Sequence, residues 1–157
     1  MALNKGKAFE AKFSQDFKKS FPNGTIDRIY DTVNGYRTIT NVSDFIGYSY
    51  PCIMYCECKS HQGSTWNFSY FTQFEKLKTK IGIKGVIAGV ILWMIDHDVV
   101  VFLPVEEVEK MKNDGHKSFN IKMLDEKVYN ILVFDSVKKR VFLDTDYSKL
   151  LELAPKE

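Results

Sequence analysis

Cysteine is scarce: three residues, Cys52, Cys56 and Cys58, all within seven positions. An odd number confined to one stretch, with no thiol elsewhere to pair with, argues against a disulfide framework. A zinc site would need a fourth ligand and a knuckle-like turn, and His61 alone supplies neither, so buried free thiols are expected. Long hydrophobic runs are also missing. The longest, Gly85–Ile95, is far short of the roughly 20 residues of a membrane span. No signal-peptide pattern opens the chain, which points to a soluble, cytoplasmic protein. Repeats, low-complexity stretches and linkers are lacking. Neither a phosphate-binding Gly-rich loop nor a Gly-x-Ser-x-Gly elbow occurs, and Gly82, Gly85 and Gly89 do not make a dinucleotide fingerprint. Charge of one sign is not in excess either. A net charge of +2 neither demands nor excludes nucleic acid, because placement matters more than the sum.

What is present fits one domain over residues 1–157: 157 residues, 45% of them hydrophobic, enough for a real core. Phe9, Phe13 and Phe17 recur every four residues and predict an amphipathic helix over about Lys5–Ser20, stopped by Pro22-Asn23-Gly24. Ile26–Val42 is ambiguous, with a hairpin-turn dipeptide at Asn34-Gly35. Arg37–Ile46 reads as a strand, Tyr48–Pro51 as a turn, and Cys52–Lys59 as a central strand apolar on both faces until its end. A polar loop at His61–Asn67 precedes a predicted helix over Tyr70–Ile81. Strands follow at Gly85–Ile95 and Val99–Leu103, joined by a tight turn at Asp96-His97-Asp98. Pro104 opens a short helix through about Asn113. Val128–Phe134 and Arg140–Leu143 read as a late strand pair, and Asp146–Leu153 as a closing helix. This order predicts an α/β fold with a mixed sheet covered by helices. Residues 123–157 extend the sheet or build a dimer interface.

The chemistry concentrates at Ser43-Asp44-Phe45-Ile46-Gly47 and Glu57-Cys58-Lys59. On a strand, Glu57 and Lys59 point to one face, and the turn between the segments brings Asp44 back beside them. Two carboxylates hold a hard divalent cation, and a neighbouring lysine steadies or activates the attacking water, as metal-dependent phosphodiester hydrolysis requires. The plainer reading is that these charges mark where a buried strand leaves the core. Glu10 faces away from the phenylalanine row, and Gln73 sits within an apolar helical face where it needs hydrogen-bond partners. By themselves they read as a surface glutamate and a boundary residue. Lysines cluster near the N-terminus, Lys7 included, and again around Lys76. They are either solvated helix faces or basic faces flanking a site for a phosphate backbone. His61 is placed to touch DNA. Of the aromatic residues after the candidate site, Trp66 lies in the polar loop and is expected to be the exposed one, free to stack on bases.

The helix with Gly6-Lys7-Ala8-Phe9-Glu10, the Ser43–Gly47 segment, the Glu57-Cys58-Lys59 triplet and the helix carrying Gln73 resemble the PD-(D/E)xK nuclease superfamily. Within it they resemble the RecU-type Holliday-junction resolvases of bacteria and phages, across most of residues 5–122. The resemblance implies a restriction-endonuclease-like mixed sheet flanked by helices. It implies a homodimer that resolves four-way junctions by paired symmetric nicks, in a bacterial cell or phage-infected host. Asp44, Glu57 and the Cys58 carbonyl would ligate Mg2+, with Mn2+ as a substitute. Lys59 would position water, Glu10 would support the metal or its water shell, and Gln73 would sit beside the scissile phosphate. Ser43 would orient Asp44 or a phosphate. The family's junction-entering stalk corresponds to Tyr30–Val42, which is short here, and its usual histidine before the glutamine is replaced by Thr72. A restriction- or repair-type nuclease on the same fold, or a non-catalytic DNA-binding module, remains an alternative.

Overall fold

The computed structural model describes residues 4–30, 32–34, 37–39 and 41–156, with nothing described of the side chains of 32–34 and 37–39. The chain opens with α1 (Lys5–Ser20), capped by the Asn4 side chain, which accepts the Lys7 N–H at 3.2 Å. Lys18 and Lys19 in its last turn offset the negative end of the helix dipole. Next come β1 (Thr25–Arg28), β2 (Thr32–Asn34), β3 (Arg37–Ile39), β4 (Phe45–Ser49), β5 (Cys52–His61) and β6 (Thr65–Asn67). Then follow α2 (Phe74–Lys78), β7 (Val86–Met94), β8 (Val99–Pro104), α3 (Val105–Asn113), β9 (Ser118–Asn120) and α4 (Met123–Glu126). The chain closes with β10 (Leu132–Val133), β11 (Asp135–Lys138), β12 (Leu143–Asp146) and a 3-10 segment, Ser148–Leu153.

Six strands form the central sheet in the order β1-β4-β5-β7-β8-β10. It is mixed: β5 and β7 run parallel, with Ile53 opposite Val86 through His61 opposite Met94, and the other neighbours are antiparallel. Alternation along the strands sorts side chains to the two faces. On one face, Cys52, Met54, Cys56 and Cys58 of β5 and Ile87, Ile91 and Trp93 of β7 pack under Phe9, Phe13 and Phe17 of α1. On the other, Val90, Leu92 and Met94 meet Phe74 and Leu77 of α2 and Val108 and Met111 of α3. The three cysteines are free and buried. Two glycines are fixed by close approach. A Cβ on Gly47 would lie 2.7 Å from the Phe17 ring, and one on Gly89 would lie 2.2 Å from the Leu103 carbonyl oxygen.

Several local expectations need correction. Arg37–Ile46 is not one strand: β3 pairs with β2 in its own hairpin, and β4 begins at Phe45. Of the turn dipeptide there, Gly35 lies outside the described residues. The helix expected over Tyr70–Ile81 is confined to α2, after a 3-10 turn at Phe68–Tyr70. The polar loop at His61–Asn67 contains β6, which pairs with β9. At the C-terminal end, Leu132–Val133 joins the central sheet beside β8, and the hairpin is Asp135–Lys138 with Leu143–Asp146.

Candidate functional site

Pairing of β4 with β5 begins at Phe45 opposite Cys56. Asp44 therefore sits just beyond the ladder, beside the part of β5 that continues without β4. There its Oδ2 accepts the Cys58 N–H at 2.9 Å. An extended residue sends its N–H and C=O to the same side, so the Cys58 carbonyl also turns toward the edge that Asp44 occupies. Ser43 is buried, and its hydroxyl donates to the Phe45 carbonyl at 2.8 Å. It braces the chain around Asp44, and the direct phosphate contact expected of it is closed off.

Glu57 is 2% exposed, and its Oε2 is buried without a hydrogen-bond partner among the described residues. Burial pushes its carboxyl up, to about 9. A side-chain hydrogen bond with Asp44 and the Asp44 charge push the same way, against the pull of Lys59. Two carboxyl groups close enough to share a proton are one too many negative charges for a dry site. Glu10 adds a third nearby. Its carboxyl is also raised, first by burial and then by Asp44, with Arg28 and Lys59 opposing.

Arg28 is the member that the sequence did not flag. It stands at the end of β1, opposite Phe45, and reaches both acids. One guanidinium nitrogen lies 3.2 Å from Glu10, and the other lies 3.6 Å from the Asp44 carboxylate and 3.0 Å from its carbonyl oxygen. The guanidinium also faces the Tyr30 and Phe45 rings, at 5.1 and 5.5 Å. Its only sequence signal was a charge in a short β-rich segment of ambiguous character. Its meaning depends on register with β4, which no local pattern reveals.

Asp44, Glu57, Lys59 and Glu10 are thus brought into electrostatic contact. Two clefts flank them. One, of about 550 Å3, is lined by Lys7, Glu10, Arg28 and Tyr30. The other, of about 380 Å3, is lined by Lys59, His61, Ser69, Tyr70 and Thr72. His61 there faces Tyr70, with ring centres 6.0 Å apart. Gln73 is the residue before α2, and its side-chain oxygen accepts the Thr72 hydroxyl at 2.7 Å. Lys76 lies on the exposed side of α2. Trp66 is a correction. It is 1% exposed, because β6 pairs it with Phe119 of β9 and folds it into the core beside Phe68 and Phe71. A ring so enclosed offers no face for stacking, and Tyr70, 54% exposed, is the open aromatic of that cleft.

Among the described residues, no three His, Cys, Asp or Glu side chains form a ready-made metal cluster. Magnesium rarely needs one: one or two carboxylates, waters and substrate phosphates usually complete its shell. The orphaned Glu57 oxygen, Asp44 and the Cys58 carbonyl are hard oxygen donors of the right kind, and a cation would relieve the charge excess.

No family model matches the chain, and no curated protein matches it. Among solved structures it is similar to Hjc, a Holliday junction resolvase from the archaeal hyperthermophile Archaeoglobus fulgidus. The TM-score is 0.50 and the identity 19%, over 65% of this chain and 78% of that one. The two share a fold, a central mixed sheet flanked by helices. Among the described residues, no helix is long and apolar enough to cross a membrane.

Proposed function

We propose that this chain is a divalent-metal-dependent endonuclease of the PD-(D/E)xK type that resolves four-way DNA junctions. The observation that carries the reading is the buried Glu57 oxygen left without a partner beside Asp44. A folded protein does not keep an unpartnered carboxyl oxygen in a dry place for stability's sake, because such a group costs about 1–3 kcal/mol. A cation between Glu57, Asp44 and the Cys58 carbonyl would make the arrangement favourable. When bound, Mg2+ or Mn2+ supplies polarisation of a phosphoryl oxygen and makes water nucleophilic at neutral pH.

The chain's own residues do the rest. The Cys58 N–H fixes the rotamer of Asp44. Lys59, on the same face of β5 as Glu57, orients the attacking water and offsets charge as the phosphorane develops. Arg28 bridges Glu10 and Asp44 and offsets the repulsion between them. Gln73 beside the scissile phosphate, and Lys7, His61 and Lys76 on the backbone, complete the reading. One nuclease domain over residues 1–157, acting as a homodimer, would place two such sites on opposing strands of a junction.

The branched substrate, as opposed to a linear duplex, is supported by the fold shared with the archaeal resolvase. The RecU-type assignment is supported by the sequence segments around Asp44 and Glu57. It also agrees with the separate β2–β3 hairpin just before Asp44, where that family carries its stalk. The test incubates purified protein with synthetic four-way junctions and matched linear duplexes, with and without Mg2+. Paired nicks in the junction alone, only with metal, are expected. Sequence-specific cleavage of linear duplex would favour a restriction- or repair-type enzyme. Binding without cleavage under every metal tried would reduce the chain to a DNA-binding module.

A further inference from the structure

A third cleft, of about 470 Å3, lies between the end of α3 and the segment before α2, lined by Asn67, Ser69, Lys112, His116 and Lys117 among others. Ser69 also lines the cleft of Lys59 and His61. The two clefts therefore adjoin at Ser69 and together make a trough between the end of β5 and the turn after α3, with Ser69 between its halves. Five basic side chains (Lys59, His61, Lys112, His116 and Lys117) line it with hydroxyl and amide groups, and among the described residues no Asp or Glu is in either lining. Asp114, the carboxylate next in sequence, is occupied by the Tyr129 hydroxyl at 2.6 Å.

The far walls are built rather than draped. The Phe68 N–H donates to the Lys117 carbonyl at 3.0 Å, tying one wall to the other. The Lys112 ammonium sits 3.9 Å from the centre of the Phe74 ring, which fixes its side chain. Lysines after a helix also offset the negative end of its dipole. Here, however, the last carbonyls of α3 are already covered, by the N–H groups of Asp114, Gly115 and His116. The carbonyls of Lys110, Met111 and Lys112 therefore do not compete for the side chains that line the trough. Elsewhere on the molecule a cleft of about 500 Å3 carries four aspartates, Asp16, Asp135, Asp144 and Asp146, beside one basic residue, Lys19, the reverse of the charge pattern here.

We propose that Lys112, His116 and Lys117 bind the phosphodiester backbone of the DNA arm running away from the cleaved position. Lys59 and the trough at Ser69 set its path. The proposal rests on the nuclease reading and adds to it a backbone-binding site one cleft beyond the chemistry. Contacts to phosphate fix orientation without reading sequence. Each one lost lowers the slope of log affinity against log salt by about 0.9.

The test measures binding of labelled four-way junction and of linear duplex by anisotropy, without divalent metal, across about 50–200 mM salt. The double variant Lys112→Gln/Lys117→Gln is expected to bind both DNAs more weakly, by about tenfold or more at the higher salt, with a slope flatter by about 2. Lys117→Gln alone, which leaves the Phe74 contact intact, should flatten it by about 1. A slope equal to the wild type's in both variants would overturn the proposal. So would an equal loss in the control Lys127→Gln/Lys139→Gln, whose lysines lie outside the trough. Metal-dependent junction cleavage by a wild type whose slope the variants do not change would sink this extension alone. A wild type that binds no DNA would sink the nuclease reading with it.

Discussion

Two buried carboxylates in this molecule are equally withdrawn from water and are treated in opposite ways. Asp16 on α1 is 3% exposed and Glu57 on β5 is 2% exposed. Asp16 is fully answered. Its Oδ1 takes the Lys12 ammonium at 3.0 Å and its Oδ2 takes the Thr145 N–H at 3.1 Å. Lys12 in turn bridges to Asp144 at 2.5 Å, binding the β11–β12 hairpin to the first helix. Glu57 has an oxygen with no partner among the described residues and a second carboxyl beside it, and the pull of Lys59 does not offset burial and the Asp44 charge. The lesson is that burial and acidity do not mark a site. What separates the two is whether each polar atom is answered. The cluster around Asp16 is closed and ties the first helix to the late hairpin, whereas the cluster around Glu57 keeps an oxygen unanswered among the described residues.

Substitution breaks the comparison most sharply. Asp44→Asn or Glu57→Gln should cut junction cleavage by about 10³-fold or more, equivalent to about 4 kcal/mol of transition-state stabilisation. Asp16→Asn should leave the cleavage rate of folded protein within a few fold. It should instead destabilise the fold by about 1–3 kcal/mol, because a charged hydrogen bond from Lys12 is lost at a buried position while Lys12 keeps Asp144. Single-turnover cleavage and denaturant unfolding of the variants, side by side, measure both.

A smaller effect has the opposite sign to the usual expectation for a buried mutation. Glu57→Gln should stabilise the metal-free protein by about 1–3 kcal/mol at about pH 8, since its amide can donate to Asp44 and carries no charge. The pH dependence follows. The folded protein holds the Glu57 proton up to about 9, well above its ordinary value. Between the two the folded state binds more protons than the unfolded chain, so the Glu57 contribution is full at low pH and is lost as pH rises through that window. Thermal melts of wild type and Glu57→Gln across this range should diverge progressively toward alkaline pH. Parallel curves would mean that the carboxyl is not strained. The smallest effect belongs to the exposed pair Lys78–Glu109, 3.4 Å apart. Lys78→Ala should change stability by under about 1 kcal/mol.

How much of this the sequence revealed depended on the range of the interactions. The phenylalanine period of α1 and the apolar run of β7 were plain, because each is a local pattern answering to one face of one element. Asp44, Glu57 and Lys59 were visible as a charged break in apolar strands. Trp66 was misplaced because its burial comes from Phe119, more than fifty residues on in sequence, through the pairing of β6 with β9. The late strands were misdivided because Leu132–Val133 takes its partner from β8 instead of from its neighbour in the chain. Arg28 was missed for the same reason, since its role is set by its place opposite Phe45. Local chemistry can be read from spacing, but long-range register cannot.

The proposed cation seat at Glu57 and Asp44 is put to calorimetric titration of the metal-free protein with Mn2+ at about pH 8. Saturable binding at one site per chain, accompanied by proton release and lost in Glu57→Gln, is expected. Binding of equal strength in Glu57→Gln, or proton release that the substitution does not change, would contradict it.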